Sequence, residues 1–228
     1  TIAGILFGIF SSSGQSCIAG SRLFIQRKIY DRFVARLVEA TQRLCLGHPF
    51  DPNTQVSSLV HSDHLKSVED YVAMGRADGG EVLTGGARPD AADLSAGAYY
   101  APTIIAGLSN KARICREEIF GPVLVALPFD DEADVIAQAN DNDYGLACGI
   151  WTKDYPRSQR IGNAIRAGTV WINTYKQFSI STPFGGDGDS GIGREKGRDG
   201  LRAYQRQKSF YTDLSGKPHP WAKWPPDA

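Results

Sequence analysis

A chain of 228 residues, 42% of them hydrophobic, is long enough to bury a sizeable core as one large domain or two small ones. Its 25 Lys and Arg offset 25 Asp and Glu, so no whole-molecule field recruits nucleic acid or an anionic membrane, and neither is expected as a partner. The apolar runs are too short to cross a bilayer, and the run at residues 2–10 is interrupted by Gly4 and Gly8 without a basic segment before it, so the expected location is cytoplasmic.

The spacing of apolar residues predicts alternating elements. Residues 2–10 form a glycine-spaced apolar helix, which opens as though in the middle of a fold, and 22–26 form a short strand. Tyr30, Phe33, Val34, Leu37, Thr41 and Leu44 then follow helical spacing until Gly47, Pro49 and Pro52 break it. A second helix spans 62–74, stopped by Gly79-Gly80, and a strand covers 81–84. Strands are expected at 99–105 and 122–129. Asp130, Asp131 and Glu132 start a helix running to Asn140. A strand at 147–152, a helix at 156–164, a strand at 168–174, a short helix at 199–204 and a strand at 209–212 follow, and the proline-rich tail at 218–228 is expected to lack regular structure. Strands joined through helices of about ten residues require crossovers, so the fold class is α/β with a largely parallel sheet covered by helices.

The chemistry concentrates at residues 11–22, a small, polar segment that carries Cys17 between Gly14 and Gly20. Glycines allow close approach of backbone to ligand. Composition alone leaves Cys17 open between a reactive thiol at an element boundary and an inert small hydrophobe. Cys45, Cys115 and Cys148 lie in apolar periodic runs and read as packing residues; no C-x-x-C pair occurs, and His61 and His64 lack further ligands nearby, so no metal is expected. Glu117 and Glu118 read as a solvated pair, a general acid/base or a ribose clamp. Phe178 and Phe184 flank a Ser/Thr-rich loop, either as core plugs or as the lining of an apolar pocket. Residues 186–191 match G-x-G-x-x-G, but no strand leads into them and Asp187 and Asp189 would set negative charge against a pyrophosphate, so they are not a nucleotide fingerprint.

Four blocks carry a resemblance. Gly14-Gln15-Ser16-Cys17-Ile18-Ala19-Gly20-Ser21-Arg22 resembles the nucleophile segment of the NAD(P)-dependent aldehyde dehydrogenase superfamily. Glu117-Glu118-Ile119-Phe120-Gly121-Pro122-Val123, Ala167-Gly168-Thr169-Val170-Trp171-Ile172-Asn173, and Pro183-Phe184-Gly185-Gly186 with Ser190-Gly191-Ile192-Gly193-Arg194-Glu195 agree with it in family order over residues 1 to about 210.

The resemblance implies that Cys17 is the nucleophile, forming a thiohemiacetal with an aldehyde and then a thioester. It implies that Glu118 binds the nicotinamide ribose, that Phe120 packs beside the nicotinamide, and that Phe178 and Phe184 line the aldehyde tunnel. Glu117 is then structural, and Trp171 and Asn173 only position the strand end. The implied cofactor is NAD or NADP, held mainly by an N-terminal half whose motifs do not occur in these residues. The chain is thus expected to be a catalytic portion, residues 1–207, followed by an oligomerisation strand and tail at 208–228, with the complete enzyme a homo-oligomer, dimer or tetramer. Asp187 and Asp189 depart from the family, which more often places a lysine in that loop. A thiol-reactive or weakly esterolytic piece, or a non-enzymatic assembly domain, stand as alternatives.

Overall fold

The computed structural model describes residues 1–219 and 221. Its centre is a four-stranded sheet of order β1-β4-β3-β2, where β1 is Arg22–Gln26, β2 Glu81–Thr84, β3 Thr103–Ala106 and β4 Val123–Phe129. β1 and β3 lie parallel to β4, with Arg22 opposite Val125 and Thr103 opposite Val123, while β2 runs antiparallel to β3. β4 reads as an unbroken apolar run because both of its faces are covered, as a central parallel strand requires. Alternate residues serve opposite cores. Val123, Val125 and Leu127 pack with Leu65, Val68 and Val72 of helix α3 (Ser62–Ala77), while Leu124 and Ala126 pack with Ile5, Ile9 and Phe10 of α1 (Ile2–Phe10) and Val34 and Leu37 of α2 (Tyr30–Gln42).

A second sheet pairs β5 (Ala147–Ile150) and β6 (Thr169–Ile172) in parallel through the crossover helix α6 (Tyr155–Ala164). Helix α5 (Glu132–Asn140) begins where its carboxylates predict, with Asp131 accepting from the Asp134 N–H at 2.9 Å. Glu132 accepts from Arg157 at 2.7 Å and Arg160 at 2.8 Å, which ties α5 to α6. The Arg160 and Arg157 hydrogen bonds hold its carboxyl down to about 2. Arg22 crosses from β1 to donate to Asn110 and to the carbonyls of Gln138 and Ala139 near the end of α5.

Several expectations change. Helix α3 runs to Ala77, beyond the expected residue 74, and its N-cap is His61, whose Nδ1 accepts from the His64 N–H at 3.1 Å. β3 starts only at Thr103; Tyr99 and Tyr100 are buried by packing, not by strand pairing. β5 ends at Ile150 because the Asn173 side chain replaces the next rungs, accepting from Thr152 N–H and donating to Thr152 C=O. The short helix α7 covers Gly197–Arg202, and the small helix α4 Arg113–Arg116. Residues 209–212 form no strand, since nothing else in the described chain pairs with them, and Phe210 and Tyr211 are exposed. Cys45 is exposed and not packed. Most of the proline-rich tail, residues 220 and 222–228, lies outside the described residues.

Between α1 and β1 the chain turns sharply, with Ser12, Ser13 and Gly14 at φ 56°, 55° and 71°. A Cβ added at Gly14 would lie 2.0 Å from the Gly121 carbonyl oxygen, a backbone atom that cannot swing away. Gly14→Ala should therefore cost about 3 kcal/mol from overlap and left-handed strain together. Gly79→Ala, at φ 91° with open space around it, isolates the backbone cost at about 1 kcal/mol. Urea unfolding of the two variants checks this, and equal losses would show that the Gly14 contact does not matter.

Candidate active site

The nucleophile segment is held at both ends by polar contacts. The Ser13 hydroxyl donates to the Ser57 carbonyl at 2.8 Å and accepts from the Ser57 N–H at 3.1 Å. Gln15 Oε1 accepts from the Val60 N–H at 2.9 Å. Beyond Cys17, the Ile18 carbonyl accepts from the Tyr175 hydroxyl at 3.0 Å, and the Ser21 carbonyl accepts from Val125 N–H at 2.8 Å. Cys17 lies between these anchors in a run of tight turns, Ser16 N–H to Gly14 C=O and Ala19 N–H to Ser16 C=O, and is exposed. A thiol on a fixed backbone with solvent access suits a nucleophile.

The Tyr175 ring fills a slot opened by glycines. An added Cβ would come within 2.5 Å of it at Gly149 and 3.1 Å at Gly8, and Trp151 stacks beside it at 6.0 Å. Burial pushes the Tyr175 phenol far above its ordinary value, so it is a fixed donor to the Ile18 carbonyl.

The second block follows α4. Glu117 accepts from Arg113 Nε at 2.5 Å and from the Tyr71 hydroxyl at 2.9 Å, and these two hydrogen bonds hold its carboxyl below the usual range. Glu118 differs: it is exposed, and among the described residues its carboxylate has no hydrogen-bond or ion-pair partner. Phe120 adopts φ 55°, and its carbonyl meets His64 Nε2 at 2.8 Å with the two rings edge-on at 6.4 Å. Gly121 leaves no room for a Cβ beside Val68 of α3. This block is thus locked onto α3 while its Glu118 carboxylate stays free.

Cys17, Glu118 and Phe120 line one cleft of ≈ 1190 Å³, which also takes in Ser16, Gly20 and Trp151. Phe178 and Phe184 lie outside that lining. They form an edge-to-face ladder, Trp171 to Phe178 at 5.6 Å and Phe178 to Phe184 at 5.3 Å, and Phe184 packs against the cluster of Ile18, Trp171 and Tyr175 next to Cys17. The glycine-rich run at 186–191 is a turn closed on residues 143–145, with Asp187 N–H to Gly145 C=O and Asp189 N–H to Asp143 C=O, each at 2.9 Å. No helix begins there, so it cannot cradle a pyrophosphate. Among the described residues no group of His, Cys, Asp or Glu is arranged to hold a metal, and no helix is long and apolar enough to cross a membrane.

Sequence reasoning missed Tyr175, His64 and Tyr71. A signal was present in Gly4 and Gly8, one turn apart on α1, since small residues at that spacing make room for partners, here Trp151 against Gly4 and Tyr175 against Gly8. Nothing local marks the other two.

Residues 1–210 match the model of the aldehyde dehydrogenase family, and the chain belongs to that family. A betaine aldehyde dehydrogenase of Mesorhizobium japonicum is 42% identical over 220 residues, 96% of this chain and 45% of that protein. Among solved structures, a betaine aldehyde dehydrogenase mutant of Staphylococcus aureus, in complex with NAD+ and with a BME-modified cysteine, superposes with a TM-score of 0.94 at 36% identity, covering 97% of this chain and 45% of its own. HpcC from Thermus thermophilus gives 0.88 at 39% identity, covering 95% of this chain and 44% of its own. The chain thus spans about 45% of the length of the curated relatives it matches.

Two of the four thiols are shifted by their surroundings. Burial pushes the Cys115 and Cys148 thiols from their ordinary 9.0 to about 11, whereas Cys17 and Cys45 are exposed. At pH 8 a thiol with a pKa three units higher is about one part in a thousand thiolate. Iodoacetamide should therefore label Cys17 and Cys45 first, half-buried Cys148 more slowly, and buried Cys115 only on unfolding, as peptide mass analysis would show. A thiol whose folded pKa is raised favours the native state below the unfolded value and loses that contribution as pH rises to the folded one. Stability should thus fall between pH 9 and about 11, and a urea midpoint that stays flat there would contradict the upward shift of both thiols.

Proposed function

We propose that this chain is the nucleophile-bearing part of an enzyme that oxidises an aldehyde to a carboxylic acid. The observation that carries the reading is the shared cleft of Cys17, Glu118 and Phe120, with Cys17 exposed on a backbone clamped at Ser13, Gln15 and Ile18. The Cys17 thiolate attacks the aldehyde carbon to give a thiohemiacetal; loss of hydride leaves a thioester on Sγ, and water releases the acid. A thiol suits each step, being nucleophilic near neutral pH and a good leaving group. The backbone N–H of Cys17, which donates to no protein group among the described residues, is the local donor for the oxyanion.

A nicotinamide dinucleotide, NAD or NADP, supplies the hydride acceptor when bound. Glu118 fits such a group, since a free carboxylate accepts two hydroxyl hydrogen bonds from a ribose, and Phe120 offers an exposed ring beside it. Phe178 and Phe184 form one wall of the aldehyde's approach. Residues 1–207 make the catalytic unit, and 208–228 serve association with another copy in a cytoplasmic homo-oligomer, a reading supported by the exposed Phe210, Tyr211 and Leu214.

Since no glycine-rich strand-to-helix turn for a pyrophosphate occurs among the described residues, the 228 residues alone should acylate without oxidising. p-Nitrophenyl acetate should give a single burst of nitrophenolate with the acyl group on Cys17, abolished in Cys17→Ala, while aldehyde plus NAD yields no sustained NADH. A burst that survives Cys17→Ala would end the nucleophile assignment. Joined to a cofactor-binding half, Glu118→Gln should slow oxidation by about a hundredfold, because a misplaced hydride acceptor costs rate. Its effect on cofactor affinity should be smaller, and unchanged turnover would return Glu118 to a solvated surface role.

A further inference from the structure

We propose that Lys176 and Lys196 make the approach to Cys17 cationic and select aldehydes that carry a carboxylate at their far end, the semialdehydes of dicarboxylic acids. This rests on the reading of Cys17 as the nucleophile and names the substrate class for it.

Lys176 follows Tyr175 beyond the end of β6, half-buried, with φ 55°, a conformation that costs a long side chain about 1 kcal/mol or more and persists only where the surroundings enforce it. Its Nζ donates to the Ser11 hydroxyl at 2.7 Å and lies 5.6 Å from the centre of the Phe7 ring. Ser11 opens the turn that delivers Cys17 and itself donates to the Phe7 carbonyl. The ammonium thus sits on the nucleophile segment. Burial lowers its pKa, and the Cys17 thiolate, close enough to act on it, partly opposes that shift.

Lys196 lies over the aromatic ladder, its Nζ 4.2 Å from the Phe178 ring centre and 5.9 Å from that of Phe184. Among the described residues neither ammonium has a carboxylate within ion-pair distance. Asp199 is committed to Arg202 at 2.9 Å, and Glu195, exposed beside Lys196, pairs with no cation. A half-buried charge without a counter-ion is costly to keep, and a ligand carboxylate would supply the missing partner. Betaine aldehyde, named in the relatives, is a quaternary ammonium ion and would meet two like charges here.

The test needs neither aldehyde nor dinucleotide. The protein is treated at low ionic strength with iodoacetate or with iodoacetamide, and the labelling rate at each cysteine is read by peptide mass analysis. Any change in thiolate fraction affects both reagents equally, so their rate ratio reports only the field on an incoming carboxylate. The iodoacetate-to-iodoacetamide ratio should be about fivefold higher at Cys17 than at exposed Cys45, the order of effect that one or two nearby charges exert at a protein surface. It should fall several-fold in Lys176→Gln, fall less in Lys196→Gln, return in Lys176→Arg, and collapse in high salt. A ratio equal at Cys17 and Cys45, or unmoved by Lys176→Gln, overturns the proposal. A raised, Lys176-dependent ratio at Cys17 in a protein that forms no acyl-enzyme would instead sink the reading of Cys17 as an acyl carrier and leave the anion preference in place.

Discussion

The close approach of Gly14 to the peptide between Gly121 and Pro122 is the contact on which the site depends. There is no room at that point for even one methyl group. Because β4 begins immediately afterwards at Val123, the contact sets the nucleophile turn against the start of the central strand, and with it against Glu118 and Phe120 just upstream. The strand is in turn fixed by cores on both faces, so the turn inherits its rigidity from the most deeply buried part of the molecule. Left-handed Ser12 and Ser13 are held in place by the same packing and by the Ser13 hydroxyl bonds to Ser57.

A second constraint joins the small sheet to the large one. Tyr175 leaves β6 and inserts between α1 and β5, where Gly8 and Gly149 have no side chains to block it, and its hydroxyl ends on the carbonyl of the residue after the nucleophile. Cys17 is therefore positioned from two directions, by the backbone of the 121–122 peptide and by a phenol from the other sheet. Trp171 and Phe184 complete the apolar support beneath it.

Glu117 and Glu118 show how neighbouring residues of one type take opposite roles. Both border the cleft, but only Glu117 is tied down, by Arg113 and Tyr71, whereas the Glu118 carboxylate has no partner among the described residues. The first is held by charge-assisted hydrogen bonds and is structural; the second is left free for a ligand. The lysines at 176 and 196 are likewise without an ion-pair partner, unlike surface carboxylates such as Glu69, Asp130 and Glu132, each of which is matched by arginine.

Element order, the parallel character of the sheet and the identity of the four blocks are readable from the chain alone, because they follow from period, turn residues and short local patterns. Asp131 capping α5 and the glycine stops at 79 and 80 are local chemistry and were legible for that reason. Which side chains share the cleft is a matter of folding in three dimensions, since Cys17 and Glu118 are a hundred residues apart and meet through the Gly14 contact. So is the absence of a strand at 209–212, because a ladder needs a partner that composition cannot supply. Cys45 faces solvent for a related reason: an apolar neighbourhood along the chain does not fix a side chain's direction. That the ammonium groups of Lys176 and Lys196 lack a carboxylate partner among the described residues belongs to the same class of fact, because whether a charge is paired depends on what lies opposite it in space, and no local pattern of residues records that.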